Sequence, residues 1–83
     1  MMKSRGIVEI KIDDIQLNPS DTLAYESPEQ QRKIDKMAKR LREEGQLEPI
    51  RLREDLTIID GHIRYFAARK LGCKVVKAII VSA

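Results

Sequence analysis

A chain of 83 residues is one domain, 1–83, with room for only a modest hydrophobic core. The 16 basic and 13 acidic residues leave a net charge of +3, too mild for a dedicated DNA binder, and two Tyr with one Phe are too few for a base-stacking platform. One Cys and one His exclude an intramolecular disulfide and a Cys/His zinc site. No apolar run reaches the roughly 18 residues of a membrane span, and no hydrophobic segment follows the basic start Met1-Met2-Lys3-Ser4-Arg5. A cytoplasmic protein with no membrane contact is expected.

Taken in chain order, Ile7 to Ile12 alternates, with Val8, Ile10 and Ile12 on one side and Glu9 and Lys11 on the other, the pattern of a half-buried strand. Asn18-Pro19-Ser20-Asp21 is a turn cluster, and residues 18–27 read as an irregular loop. Ser27-Pro28-Glu29-Gln30 then signals a helix start, with Ser27 as cap, Pro28 in the first turn and Gln30 completing a capping box. Ile34, Met37, Ala38 and Leu41 form its buried stripe, and Gly45 ends it. Pro49 to Arg53 and Leu56 to Ile59 read as two short strands joined by a turn at Glu54-Asp55. A second helix opens near His62, with Ile63, Phe66, Ala67 and Leu71 as its buried stripe and Gly72 as its end. The near-continuous apolar run Val75 to Val81 reads as a central or well-covered strand. The order strand-helix-strand-strand-helix-strand predicts a layered α/β (α+β) fold.

The segment Ile59-Asp60-Gly61-His62-Ile63-Arg64 carries the sharpest chemistry, because a strand there runs through a glycine straight into a helix. The first turn of a helix has unpaired N–H groups and partial positive charge, which together favour phosphate. Gly61 lets a phosphate approach the backbone, Arg64 can add a bidentate contact, and His62 can donate to phosphate or move a proton. Asp60 can cap the helix, orient His62 or hold a metal ion; Asp60 and His62 are the candidate catalytic groups. The same residues also suit a plain capped helix with a solvated arginine.

Nearly the whole sequence resembles the ParB/sulfiredoxin superfamily. The resemblance runs from Val8 to Leu17 with Asn18-Pro19, through Pro28 to Glu44, Gly45-Gln46-Leu47-Glu48-Pro49-Ile50 and Leu56 to Arg64, to Val75–Val81. It implies a ParB N-terminal-like domain with the ParB/sulfiredoxin layered fold, linked to chromosome partition or another DNA-associated process. It also implies that a nucleoside triphosphate, CTP or ATP, lies on Gly61 and Arg64, with Pro49 and Ile50 as a pocket wall; on the residues' own chemistry His62 is a further donor and Asp60 a ligand for an accompanying Mg²⁺. His62 and Ile63 stand where ParB proteins carry an acidic residue and an Arg. The family's second nucleotide motif and its helix-turn-helix lie beyond the final strand, so a chain ending at Ala83 is not expected to be a complete partition protein. His62 also stands where sulfiredoxins carry their reactive Cys, so that redox chemistry is not expected, and Cys73 reads as a packed thiol. The local turn is most similar to that of archaeal free-serine kinases; Asp60, Gly61, His62, Arg64, Tyr65 and Leu71-Gly72-Cys73 all fit, and Asp21 is the one nearby match for their acidic residue.

The expected function is therefore nucleotide binding with slow NTP hydrolysis. The alternatives are a DNA- or protein-interaction module with a degenerate nucleotide site, and a small-molecule kinase. Arg32, Lys33, Lys36, Lys39 and Arg40 form a basic helix face that could contact DNA phosphates, balanced in part by Glu29, Asp35, Glu43 and Glu44. No carboxylate cluster for a two-metal nuclease is present in the pattern. The apolar final strand is compatible with a homodimer.

Overall fold

Burial alternates along the last strand, and the rest of the chain is arranged around it. The computed structural model describes residues 6–46 and 48–82. Met1–Arg5, Leu47 of the Gly45–Ile50 stretch, and Ala83 lie outside the described residues. Strand β4 (Val75–Val81) runs through a four-stranded sheet ordered β1-β4-β2-β3, so its apolar run does mark a central strand. The edges are β1 (Val8–Lys11) and β3 (Ile58–Asp60). β4 pairs parallel with β2 (Ile50–Arg53) and antiparallel with β1, while β2 and β3 are antiparallel with a bulge between Arg51 and Leu52. Val76 and Ala78 of β4 and Ile50 and Leu52 of β2 are buried on the same face, and Ile50 and Leu52 are wholly inaccessible.

β1 is shorter than predicted because Ile12 leaves the strand for a 3-10 turn, Ile12–Asp14, where its side chain is still buried. The predicted loop over 18–27 contains a short helix, α1 (Pro19–Ala24). Asn18 holds the extended N-cap position, Pro19 supplies a pre-set φ at the first turn, and the Asn18 carbonyl accepts from Asp21 N–H at 3.0 Å. Asn-Pro-Ser-Asp serves equally as a turn or a helix start. The ring of Tyr25, just past α1, packs on Phe66 at 5.2 Å and ties this segment to the rest of the fold.

Helix α2 (Pro28–Glu44) starts as predicted, with Ser27 Oγ accepting from Gln30 N–H at 3.3 Å. The reciprocal half of the capping box is not made. The neighbouring Gln31 instead donates its side-chain amide to the Tyr25 carbonyl at 2.8 Å, linking α2 to the end of α1. Helix α3 (His62–Lys70) lies between α2 and the sheet. Its predicted stripe is only the half that meets α2, where Ala67 packs with Ile34 and Ala38, and Ile63, Phe66 and Leu71 are half-buried. Tyr65 and Ala68 face the sheet and are equally buried, a second apolar side that a one-stripe reading does not separate. Among the described residues no helix is long and apolar enough to cross a membrane.

The β2–β3 turn is tighter than the sequence implies. Leu56 adopts φ +69° and its N–H returns to the Arg53 carbonyl at 2.8 Å, so β3 begins at Ile58 rather than Leu56. Hydrogen bonds from Thr57 to the exposed Asp55 carboxylate lower the Asp55 pKa and close the same turn.

Gln46 extends the sheet where β2 has not yet begun. Its side-chain amide donates to the Lys77 carbonyl at 2.9 Å and accepts from Lys77 N–H at 2.8 Å, like a strand neighbour, and it also reaches the Glu48 carbonyl. Gln46→Ala removes these bonds and is expected to destabilise the domain by about 1–2 kcal/mol in urea denaturation. Amide exchange at Lys77 should accelerate more than exchange at Ala78; uniform acceleration would show that Gln46 does not act as a local strand extension.

Candidate functional site

β3 ends against Gly61, which has φ +97° and ψ 26°, a left-handed conformation that side chains resist. Position 61 is constrained a second time by packing. A Cβ there would lie 2.7 Å from Ile50 Cγ2 and 3.1 Å from Ile50 Cα. Ile50, with no exposed surface, backs the turn and offers a ligand no side-chain contact; that corrects its expected place in a pocket wall. Pro49 is half-buried just before it.

Gly61 is also the N-cap of α3, and no side chain caps this helix. The first helical bond to leave the turn runs from Tyr65 N–H to the Gly61 carbonyl at 3.0 Å. The N–H groups of His62, Ile63 and Arg64 have no acceptor among the described residues. Asp60 is exposed at the end of β3 and does not cap α3. Nor does it orient His62, whose carboxylate partner is Asp21 of α1, with Nε2 to Oδ2 at 3.3 Å. The ring of Tyr25 stacks on His62 at 5.5 Å with an interplanar angle of 7°. His62 is thus held by a carboxylate on one element and an aromatic face on another, with 17% of its side chain exposed.

Arg64 points the other way along the helix start. Its Nη2 donates to Glu48 Oε2 at 2.7 Å, and it lines a shallow cleft with Met37, Leu41, Gly45 and Glu48. Arg40 reaches the same cleft and is bonded at 3.3 Å to Glu44. The other basic residues of α2, Arg32, Lys33, Lys36, Lys39 and Arg42, are exposed along the helix and do not join the site. Ile63 is half-buried against α2, so it is a helix-packing residue.

Asp60, Gly61, His62 and Arg64 are therefore consecutive features of one turn. Asp21 and Tyr25 complete it from a segment that reads as a loop in the sequence, where only Asp21 carried any signal. Among the described residues no group of three His, Cys, Asp or Glu side chains could hold a metal ion, which leaves Asp60 as a single exposed carboxylate. Cys73 is exposed rather than packed. It lies in the turn after Gly72, which has φ +77°, with its N–H bonded to the Ala68 carbonyl at 3.0 Å.

The family model described as the ParB N-terminal domain matches residues 1–83. A C-terminally truncated chromosome-partitioning protein ParB from Caulobacter crescentus, solved with CTP-gamma-S, is similar to this chain with a TM-score of 0.77 and 25% identity, over 95% of this chain and 46% of that one. Sulfiredoxin from Arabidopsis thaliana shares the fold with a TM-score of 0.79 and 23% identity, over 95% of this chain and 88% of that one. A pNOB8-like ParB N-domain shares it with a TM-score of 0.76 and 20% identity, over 100% of this chain and 31% of that one. The chain thus spans about a third to a half of the two ParB chains. No curated protein matches it.

Gly61→Ala combines a left-handed backbone with a Cβ set against Ile50, and a cost of about 2–4 kcal/mol is expected from strain and overpacking together. Urea denaturation followed by circular dichroism measures it. A loss below about 0.5 kcal/mol would mean that β2 yields to the new side chain.

Proposed function

This chain belongs to the ParB N-terminal domain family, and from that premise we propose that it binds a nucleoside triphosphate, CTP or ATP, at the start of α3 in a DNA-partition or other DNA-associated process. The observation that carries the reading is the uncapped N-terminus of α3 behind Gly61, with Arg64 within the first turn. Three free N–H groups and the helix dipole favour an anion. The ParB of Caulobacter crescentus, a relative at 25% identity, was solved with CTP-gamma-S, which supports the same ligand class here.

Arg64 would exchange its bond to Glu48 for a phosphate. Glu48 is 72% exposed, so the pair is worth about 0–1 kcal/mol, while a charged hydrogen bond to phosphate contributes about 1.5–3 kcal/mol. The exchange is therefore favourable. Ile63, where ParB proteins have an Arg, supplies no such contact, so affinity rests on Arg64, His62 and the backbone. Mg²⁺ fits only as a phosphate-borne ion, because Asp60 would be its single protein ligand, with phosphate oxygens and water completing the shell. It would supply charge neutralisation there. His62, held by Asp21, can orient a water for slow hydrolysis. The basic face Arg32, Lys33, Lys36, Lys39 and Arg40 would touch DNA phosphates without reading sequence.

Thermal-shift titration with CTP, ATP, ADP and GTP, each with and without Mg²⁺, tests this reading. One nucleotide should stabilise the domain by about 2.7 kcal/mol at a hundredfold excess over its dissociation constant. Arg64→Ala should weaken that nucleotide by about 10- to 100-fold and Glu48→Gln should tighten it by a few-fold. No shift with any nucleotide at millimolar concentration would remove the proposal.

The Asp21–His62 pair favours a second reading, phosphoryl transfer to the hydroxyl of a free amino acid such as serine, with His62 taking the hydroxyl proton and Asp21 orienting the ring. Its expected signature is phosphoserine formed from serine and ATP or ADP, lost by about a hundredfold in Asp21→Asn. Nucleotide binding without any phosphoserine would leave the first reading alone.

A further inference from the structure

The face of the sheet turned away from α2 and α3 carries a second pattern that the nucleotide site does not use. Burial on β4 and β2 alternates, with Val76, Ala78, Ile50 and Leu52 turned inward, so the intervening residues face outward. On β4 these are Val75, Lys77, Ile79 and Val81, an apolar line interrupted by one cation. In register beside it, Arg51 neighbours Ile79 and Arg53 neighbours Val81 on β2, while Lys11 neighbours Val75 on β1. Val75 is 43% exposed and Ile59, in the β3 bulge, 41%. Lys11, Arg51, Arg53 and Lys77 make no ion pair among the described residues, although Glu9 lies in register with Lys77 and Asp60 with Arg51.

An apolar line between unpaired cations discriminates among occupants. A second copy docked by the same face would add its own Lys11, Arg51, Arg53 and Lys77 to those already there, with Glu9 and Asp60 as the in-register carboxylates to offset them. A nucleic acid would meet the cations but leave Val75, Ile79 and Val81 facing phosphates and sugars, and no aromatic on this face offers a base a stacking surface. A helix with an apolar stripe and acidic flanks answers both features. The seven residues of β4 span about 23 Å, the length of a helix of about 15 residues. We propose that the outer face of the sheet is a docking surface for an acidic amphipathic helix of a partner protein, its apolar stripe on β4 and its carboxylates on Arg51, Arg53, Lys77 and Lys11.

The test is an NMR titration of the isotopically labelled domain with a helical peptide of about 18 residues, with Leu at i, i+3, i+4, i+7 spacing and Glu on the flanks. A scrambled peptide of the same composition, a peptide with Lys in place of Glu, and a duplex DNA run beside it. Saturable shifts are expected at Arg51, Arg53, Lys77 and Ile79 with the acidic amphipathic peptide alone. The double variant Arg51→Glu, Arg53→Glu should raise its dissociation constant at least about tenfold. Both residues are exposed, so the melting temperature should be nearly unchanged, and Arg64→Ala should leave peptide binding intact, which keeps this outcome separate from the nucleotide site. The proposal is overturned by no saturable shift at about 1 mM peptide, by equal binding of the scrambled peptide, by shifts confined to α2 and α3, or by duplex DNA binding this face more tightly than the peptide.

Discussion

Gly61 and Ile50 stand closer together than any side chain at position 61 would allow, and most of the molecule is organised by that contact. It requires β2 to present a fully buried β-branched residue directly behind the turn, and it requires the turn to be left-handed. With both in place, α3 starts at the next residue, His62, with Gly61 as its N-cap. The close approach also removes the side chain that would otherwise cap α3. An N-terminus left uncapped by the packing of its own N-cap residue is a consequence of the fold, and its anion preference follows from the same cause.

The position of α3 between sheet and α2 has a second consequence. A helix buried on two sides has little free surface: Arg69 and Lys70 are exposed at its end, and its half-buried first turn carries the candidate site. There the side chains alternate in duty. His62 turns to α1, Ile63 to α2 and Arg64 to the cleft at the end of α2, while Tyr65 enters the sheet core. Ile63 shows the trade directly. Where an Arg would add a phosphate contact, the apolar residue instead packs in the α2–α3 cluster.

What the sequence made legible follows the strength of local signals. The central strand, the start and end of α2 and the glycine turn were readable because an apolar run, a Ser-Pro start and a strand-Gly-helix junction have few alternatives. α1 was not, since Asn18-Pro19-Ser20-Asp21 has the same chemistry as a turn and the Tyr25–Phe66 contact that ties it down spans about forty residues of chain. The same blind spot hid half of the site. Tyr25 gives no sign in sequence that it stacks on His62, and Asp60, two residues before His62 in the chain, is the partner the sequence suggests, whereas the structure sets Asp21 Oδ2 3.3 Å from the His62 ring. Ile50 was expected beside a ligand from the family resemblance of the Gly45–Ile50 stretch, yet strand alternation sends it inward. Cys73 misled for the opposite reason, since a turn after a left-handed glycine carries even an apolar-leaning residue into solvent.

β2 is where these features meet. Its inward residues Ile50 and Leu52 carry the core and the back of the turn, its outward residues Arg51 and Arg53 flank the apolar line of β4, and its approach through Glu48 and Pro49 reaches Arg64. A strand of four residues thus touches the core, the uncapped start of α3 and the outer face at once. The bulge between Arg51 and Leu52 loosens its hold on β3, but the parallel register with β4 runs unbroken from Ile50 to Arg53. β2 is therefore fixed by the central strand, and Gly61 has no free distance through which Ile50 could move without displacing the turn. Close-packed interiors transmit small shifts for this reason. Arg51 on the outer face and Ile50 behind the turn are successive residues of this one strand.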